Sequence, residues 1–269
     1  MWGIETDEIL AMAKDRQNAT YLPNIEFPEG LEVTTDFEQA VAGARDLLLA
    51  VPSHAFRETL ERIRALPSTP RSVAWATKGF EAVSGLLPNQ VANEVLESSA
   101  TTAVLSGPTF ATEVGLGLPT AITVASLDEQ NAHRLAQTIT TDNFRAYTST
   151  DIIGVEVGGA TKNVLAIGAG ISDGLGFGAN TRIALVTRGL MEMTRLGLAL
   201  GAQKDTFMGL SGMGDLVLTC TDDQSRNRRF GLSLAKGANV EEARKAIGQT
   251  VEGYYAARAV RDVARRLNV

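Results

Sequence analysis

From residue 154 to residue 172 the chain carries only two charged side chains, Glu156 and Lys162. Every other position is Gly, Ala, Val, Ile, Leu, Thr, Asn or Ser. A helix that is small or apolar on every side has no face to offer water and has to be enclosed by other elements. The stretch therefore predicts a buried central helix. With helical neighbours three and four positions apart, Lys162 shares its face with Gly158, Gly159, Leu165 and Ala166, and Asn163 with Gly159, Ala160, Ala166 and Ile167. A buried ammonium is expensive unless it is paired or has a task. Desolvation lowers a lysine pKa, which makes Lys162 a candidate proton acceptor. A lysine snorkelling from a helix end would give the same composition, and that reading stays open at this point.

What surrounds this helix is set by a change of pattern near residue 150. Up to there, apolar and β-branched runs at 31–35, 46–52, 71–77, 102–106, 120–125 and 144–147 read as strands. Helical segments at 6–14, from 36, 56–66, 86–97 and 128–138 alternate with them. Such alternation predicts an α/β fold with a doubly wound, Rossmann-like and mainly parallel sheet over residues 1–150. From 151 to 269 the strand pattern stops. Helical segments around 154–171, 180–200, 205–213, 228–235, 240–247 and 252–267 predict an all-α domain joined tightly to the first.

Composition narrows the partners. The formal charge of −6 leaves no electrostatic footprint for nucleic acid, although a small anion needs only local positive groups. No apolar run suggests a membrane span and no signal-peptide pattern opens the chain, so a cytoplasmic setting without membrane insertion is expected. Cys220 is the one cysteine, which excludes an intrachain disulfide. With it, the two distant histidines, His54 and His133, make a zinc site improbable, and no metal is expected.

In open parallel sheets, ligands bind beyond the carboxyl ends of the strands. Three loops there are chemically marked: the turn at Ser53 after the 46–52 run, Thr77, Lys78 and Gly79, and the segment from Gly107 through Thr109 to Ala111. Each alone reads as ordinary turn chemistry. Together they set a cation, a hydroxyl and exposed backbone on one rim, which suits a polar or phosphorylated ligand. In the helical half, Asp215 follows flexible glycines and precedes an apolar run, a poor place for an acid without a partner. Ser225, Arg226, Asn227, Arg228 and Arg229 could be a solvated face or a phosphate grip.

Residues 46–53, 77–79, 105–111, 154–163, 170–174, 212–221 and 225–230, with 248–253, resemble bacterial NAD(P)-dependent glycerol-3-phosphate dehydrogenase, in collinear order from Trp2 to Val269. That resemblance implies reversible oxidation of sn-glycerol 3-phosphate to dihydroxyacetone phosphate with NAD or NADP, for phospholipid synthesis. It implies that Lys162 is the general base, that Lys78 polarises the C2 oxygen and touches the cofactor, and that Asp215 orients and tunes the lysine. It further implies substrate contacts at Gly107, Thr109, Ser225, Arg226 and Asn227, and cofactor contacts at Ala111, Arg226 and Glu252. A homodimer is compatible with it.

The chain also departs from the family pattern. The family opens with a strand and a Gly-rich G-x-G-x-x-G/A turn ahead of the segment matched by Met1, Trp2 and Gly3, and continues as helix past the position of Val269. Without that first βα unit, the 46–52 strand is expected to show an unpaired edge and an exposed apolar face, and cofactor binding is expected to be weak. Where relatives often carry His or Arg for a 2′-phosphate, Ile4 is followed by Glu5, which favours NAD. The competing readings are a non-catalytic remnant serving as a binding or dimerising module and a dehydrogenase for another hydroxy acid. The 225–229 run and the Lys78 loop argue against the latter.

Overall fold

The structure is a computed structural model that describes residues 1–67, 70–97 and 99–269. The first half opens with α1 (Thr6–Asp15) and α2 (Phe37–Val41). There follow β1 (Asp46–Leu49), α3 (Ser53–Arg64), β2 (Ser72–Trp75), α4 (Pro88–Leu96), β3 (Thr101–Ser106), α5 (Ala111–Gly115), β4 (Thr120–Ala125), α6 (Glu129–Ile139) and β5 (Phe144–Ser149). Among the described residues the strands form one five-stranded sheet in the order β1-β2-β3-β4-β5.

Three of its four pairings are parallel, but β3 and β4 run antiparallel, with Leu105 opposite Val124. The sheet is thus mixed rather than wholly parallel. A parallel return needs a crossover helix that spans the sheet, and the connection from β3 to β4 holds only the five-residue α5. The 31–35 strand is also corrected. Thr34 makes a single parallel bridge to Trp2, and no strand forms around it. β1 lies at the outer edge, and its Leu48 is 57% exposed.

The second half is helical: α7 (Ile152–Gly174), α8 (Gly178–Leu200), a 3-10 turn (Lys204–Met208), a π-helical turn (Leu210–Gly214), α9 (Asp215–Thr221), α10 (Arg226–Ala235), α11 (Val240–Ile247) and α12 (Glu252–Leu267). The continuous helix expected at 205–213 is therefore two tight turns of different pitch, and α9 was not foreseen. Glycines at 209, 212 and 214 widen the backbone conformations open to this stretch and weaken its preference for an ordinary α-helix.

α7 is the axis of this half, with α8, α9, α10 and α12 packed around it. It is long and apolar enough to cross a bilayer, yet most of it is buried inside the protein, as a core helix would be. Its small residues set how close the neighbours come. A Cβ on Gly170 would stand 2.0 Å from the Arg228 carbonyl oxygen, and one on Gly231 would stand 2.1 Å from the Ile167 carbonyl oxygen. Two helices in backbone contact cannot absorb a methyl group without separating. Gly231→Ala should therefore cost about 3 kcal/mol in urea unfolding. Gly30→Ala, where a Cβ meets nothing within 4 Å, should be nearly neutral. Equal midpoints for the two variants would contradict this packing.

Candidate functional site

The site forms where the carboxyl ends of β2 and β3 meet α7. Lys162 sits in the middle of α7 with only 9% exposure, which removes the snorkelling alternative. The glycines on its face have visible purposes. A Cβ on Gly158 would lie 2.2 Å from the Ser211 carbonyl oxygen, so the π-helical turn rests directly on the helix there. At the next position, a Cβ on Gly159 would touch the Lys78 Cγ at 3.3 Å and the Ser106 Oγ at 3.2 Å. The bare face of α7 thus admits the turn that delivers Asp215 and the side chain that delivers Lys78.

Both lysines donate to one carboxylate. Lys78 Nζ reaches Asp215 Oδ2 at 2.8 Å, Lys162 Nζ bonds Asp215 Oδ1, and Asp215 is 1% exposed. Thr219, one turn along α9, accepts from Lys162 Nζ at 3.1 Å and donates to the Asp215 carbonyl at 2.6 Å. Sequence reasoning missed Thr219. Its signal was the i+4 spacing from Asp215 once that segment is known to be a helix.

Two ammonium groups facing one carboxylate cannot both hold their protons equally well. Burial disfavours the Lys162 ammonium, Asp215 offsets this only in part, and the Lys78 charge works against it, so its pKa falls to about 8. Lys78 is buried too, but the charge and hydrogen bond of Asp215 outweigh the desolvation and its pKa rises. Burial pushes Asp215 upward, the two lysines outweigh it, and the carboxyl stays ionised, below its usual range. The result is one lysine able to exchange a proton near neutral pH beside one that stays charged. Cys220 is buried in the same region with its thiol pushed up to about 12 by desolvation, which leaves it inert.

A second group of polar residues adjoins the first. Asn163, next to Lys162, donates to Glu252 Oε2 at 2.9 Å, and the Glu252 charge acts on both lysines. Asn227 Oδ1 accepts from Gly253 N at 2.9 Å, which leaves its amide N–H groups for another acceptor. Ser225 caps α10 by accepting from Arg228 N, so its own O–H remains a donor. Arg226 has no ion-pair or hydrogen-bond partner among the described residues. Asp173 fixes this helix start by bonding Arg228 Nη2 at 2.6 Å and Arg182 Nη1 at 2.8 Å. Free donors at a helix N-terminus form a ready site for an anion.

The third group lines a cavity of about 670 Å³ beside the strand ends. Leu48, Ala76, Leu105, Thr109, Ala111 and Ile122 are among its walls. A Cβ on Gly107 would press on Ile122 Cα at 3.2 Å, so the loop lies flat on β4, while the adjoining Pro108 sits near Gly214. The cavity lining is mostly apolar, and no charged side chain is among its walls. Ala111 lines that cavity and makes no bond to the lysines. Ile4, 74% exposed, and Glu5 stand apart on the surface after the Trp2 bridge.

An α/β sheet followed by a helical bundle, with a tunable lysine at the join, is the architecture of a two-domain dehydrogenase. Residues 1–132 match the N-terminal and residues 151–269 the C-terminal family model of NAD-dependent glycerol-3-phosphate dehydrogenase. Glycerol-3-phosphate dehydrogenase [NAD(P)+] of Actinobacillus pleuropneumoniae serotype 5b is 54% identical, covering 95% of this chain and 76% of that protein. The enzyme of the same name from Shigella boydii serotype 18 is 52% identical, covering 100% of this chain and 80% of that one. The crystal structure of glycerol-3-phosphate dehydrogenase from Coxiella burnetii superposes with a TM-score of 0.96 at 44% identity, covering 100% of this chain and 82% of that one. The chain belongs to the NAD-dependent glycerol-3-phosphate dehydrogenase family.

Proposed function

We propose that the protein interconverts sn-glycerol 3-phosphate and dihydroxyacetone phosphate with NAD(H) or NADP(H), supplying phospholipid precursors from the cytoplasm. The observation that carries the chemistry is the pair of lysines on Asp215, one with a pKa near 8 and one held charged. In the oxidising direction, neutral Lys162 takes the C2 hydroxyl proton while the C2–O bond becomes a carbonyl. Bound NAD or NADP supplies the hydride acceptor. Lys78, as an ammonium, stabilises negative charge developing on the C2 oxygen. Asp215 holds both nitrogens in place and remains a carboxylate throughout. In the reducing direction Lys162 returns its proton to the same oxygen.

Ser225, Arg226 and Asn227 take the substrate phosphate, which is supported by their free donors at the start of α10. Gly107 and Thr109 close over the triose. Ala111, Lys78, Arg226 and Glu252 contact the cofactor. Residues 1–150 then serve the dinucleotide and residues 151–269 the substrate. Glu5 favours NAD over NADP by repelling a 2′-phosphate. A homodimer belongs to this reading, since Ile183, Met191 and Leu198 give α8 an exposed apolar outer face for two copies to cover.

The test is NADH oxidation by the chain with dihydroxyacetone phosphate, beside Arg226→Ala. The wild type should turn over. The variant should show a KM for dihydroxyacetone phosphate raised by about 10–100-fold with kcat less affected, since a guanidinium–phosphate bond is worth roughly 1.5–3 kcal/mol. No turnover in the wild type at saturating NADH would reject the function. An unchanged KM in the variant would reject the phosphate assignment.

A further inference from the structure

A buried acid six residues before Lys162 has no place in the chemistry above. Glu156 is 4% exposed, and its Oε1 accepts two hydrogen bonds from the α/β half. One comes from Trp75 Nε1 at 2.8 Å and the other from Asn89 N at 2.9 Å. Its Oε2 is buried without a partner. Asn89 is the second residue of α4, whose N-cap is Leu87, a residue with no side-chain oxygen to offer. Gln90 of the same helix accepts from Leu87 N, and the carboxyl of α7 takes the Asn89 N–H that remains. Trp75 is the last residue of β2 and is fully buried.

Two contacts tie the end of β2 to one face of α7, where Glu156 and Gly159 lie three positions apart. Trp75 bonds Glu156, while the Lys78 stem lies against Gly159. We infer that Glu156 is a positioning residue for the reaction: its bonds to Trp75 and Asn89 fix the end of β2 along α7, so that Lys78 reaches Asp215 beside Lys162. The inference rests on the proposed dehydrogenase chemistry for its effect on rate, but its geometric content does not.

Burial pushes the Glu156 pKa up to about 8, against the pull of its two hydrogen bonds, so the group is largely neutral at neutral pH. A neutral carboxyl presents one carbonyl-type oxygen that can accept both bonds, and a glutamine amide oxygen does the same. Leucine has the bulk and neither acceptor. Glutamine should thus preserve the arrangement and leucine should lose it.

The experiment compares wild type with Glu156→Gln, Glu156→Leu and Trp75→Phe by two readouts. The first is the rate at which acetic anhydride acylates Lys78 in the ligand-free protein, read by mass spectrometry. Loosening the Lys78–Asp215 contact in the leucine and phenylalanine variants should raise that rate by about tenfold, and the glutamine variant should stay within about twofold of wild type. The second readout is kcat and KM for dihydroxyacetone phosphate. The leucine variant should lose about 10²-fold in kcat, the size of effect expected when a reacting group is misplaced by an ångström. Glutamine should retain wild-type kcat.

Wild-type acylation of Lys78 in folded Glu156→Leu and Trp75→Phe would overturn the inference, as would a glutamine variant as impaired as leucine. If Glu156→Leu does not fold, Trp75→Phe and Glu156→Gln decide between the same outcomes. A wild type without turnover rejects the proposed function instead, and the acylation rates still decide whether Glu156 positions Lys78.

Discussion

Lys162→Ala is expected to lower kcat by about 10²–10⁴-fold in both directions, the loss typical of a missing general acid–base group. Folding should be preserved, because Asp215 keeps Lys78 as a counter-charge after the change. The pH dependence gives the assignment its sharper test. Oxidation of glycerol 3-phosphate needs the neutral amine, so kcat/KM should rise with pH up to about 8 and then level off. Reduction of dihydroxyacetone phosphate needs the ammonium, so that rate should fall above about 8. Stability carries the same signature with its own sign. Between about 8 and the ordinary lysine value of 10.5 the unfolded chain binds the Lys162 proton and the folded chain does not, so this group makes unfolding harder as pH rises through that window. Measurable turnover in Lys162→Ala with an unchanged pH limb would remove Lys162 from the proton transfer.

Asp215→Asn should be the more damaging change for stability. It leaves two buried ammonium groups facing each other with no carboxylate between them, and stranding a buried charge costs about 3–5 kcal/mol. Urea unfolding near neutral pH should register that loss and should recover part of it at higher pH, where a lysine can shed its proton. Asparagine also removes the attraction that partly sustains the Lys162 proton, so the oxidation limb of any residual activity should move below pH 8. A limb that stays in place would mean that Lys162 does not set it.

The central helix was legible because its evidence is local. An apolar stretch interrupted by Glu156 and Lys162 has to be buried whatever it packs against, and α7 is buried over most of its length. The alternation of strands and helices up to residue 150 was legible for the same reason, since periods of two and 3.6 are written in neighbouring residues. Lys162, Lys78 and Asp215 were singled out from composition and family resemblance, and they do meet. The tight turns at 204–214 were not legible, because glycine-rich segments lack a hydrophobic period and choose their pitch by what presses on them, here the backbone of α7 at Gly158. The antiparallel β4 followed from a connection whose helix is too short to cross the sheet, which strand propensities do not record. Thr219 was hidden because a hydroxyl in an apolar run acquires meaning only when the helix carrying it is turned toward Lys162.

Residue by residue, then, the order of the chain was enough to say that this helix is enclosed and that a lysine enclosed with it needs a partner, while a snorkelling Lys162 stayed open until the fold buried it. That order could not say that the partner is shared. Lys78 and Asp215 are 137 positions apart, and nothing in a sequence records whether two ammonium groups will stand on the same carboxylate. That depends on two glycines letting the backbone of one turn and the stem of one lysine settle on α7. The competition for Asp215 that draws the Lys162 pKa down while Lys78 stays charged exists only once they have done so.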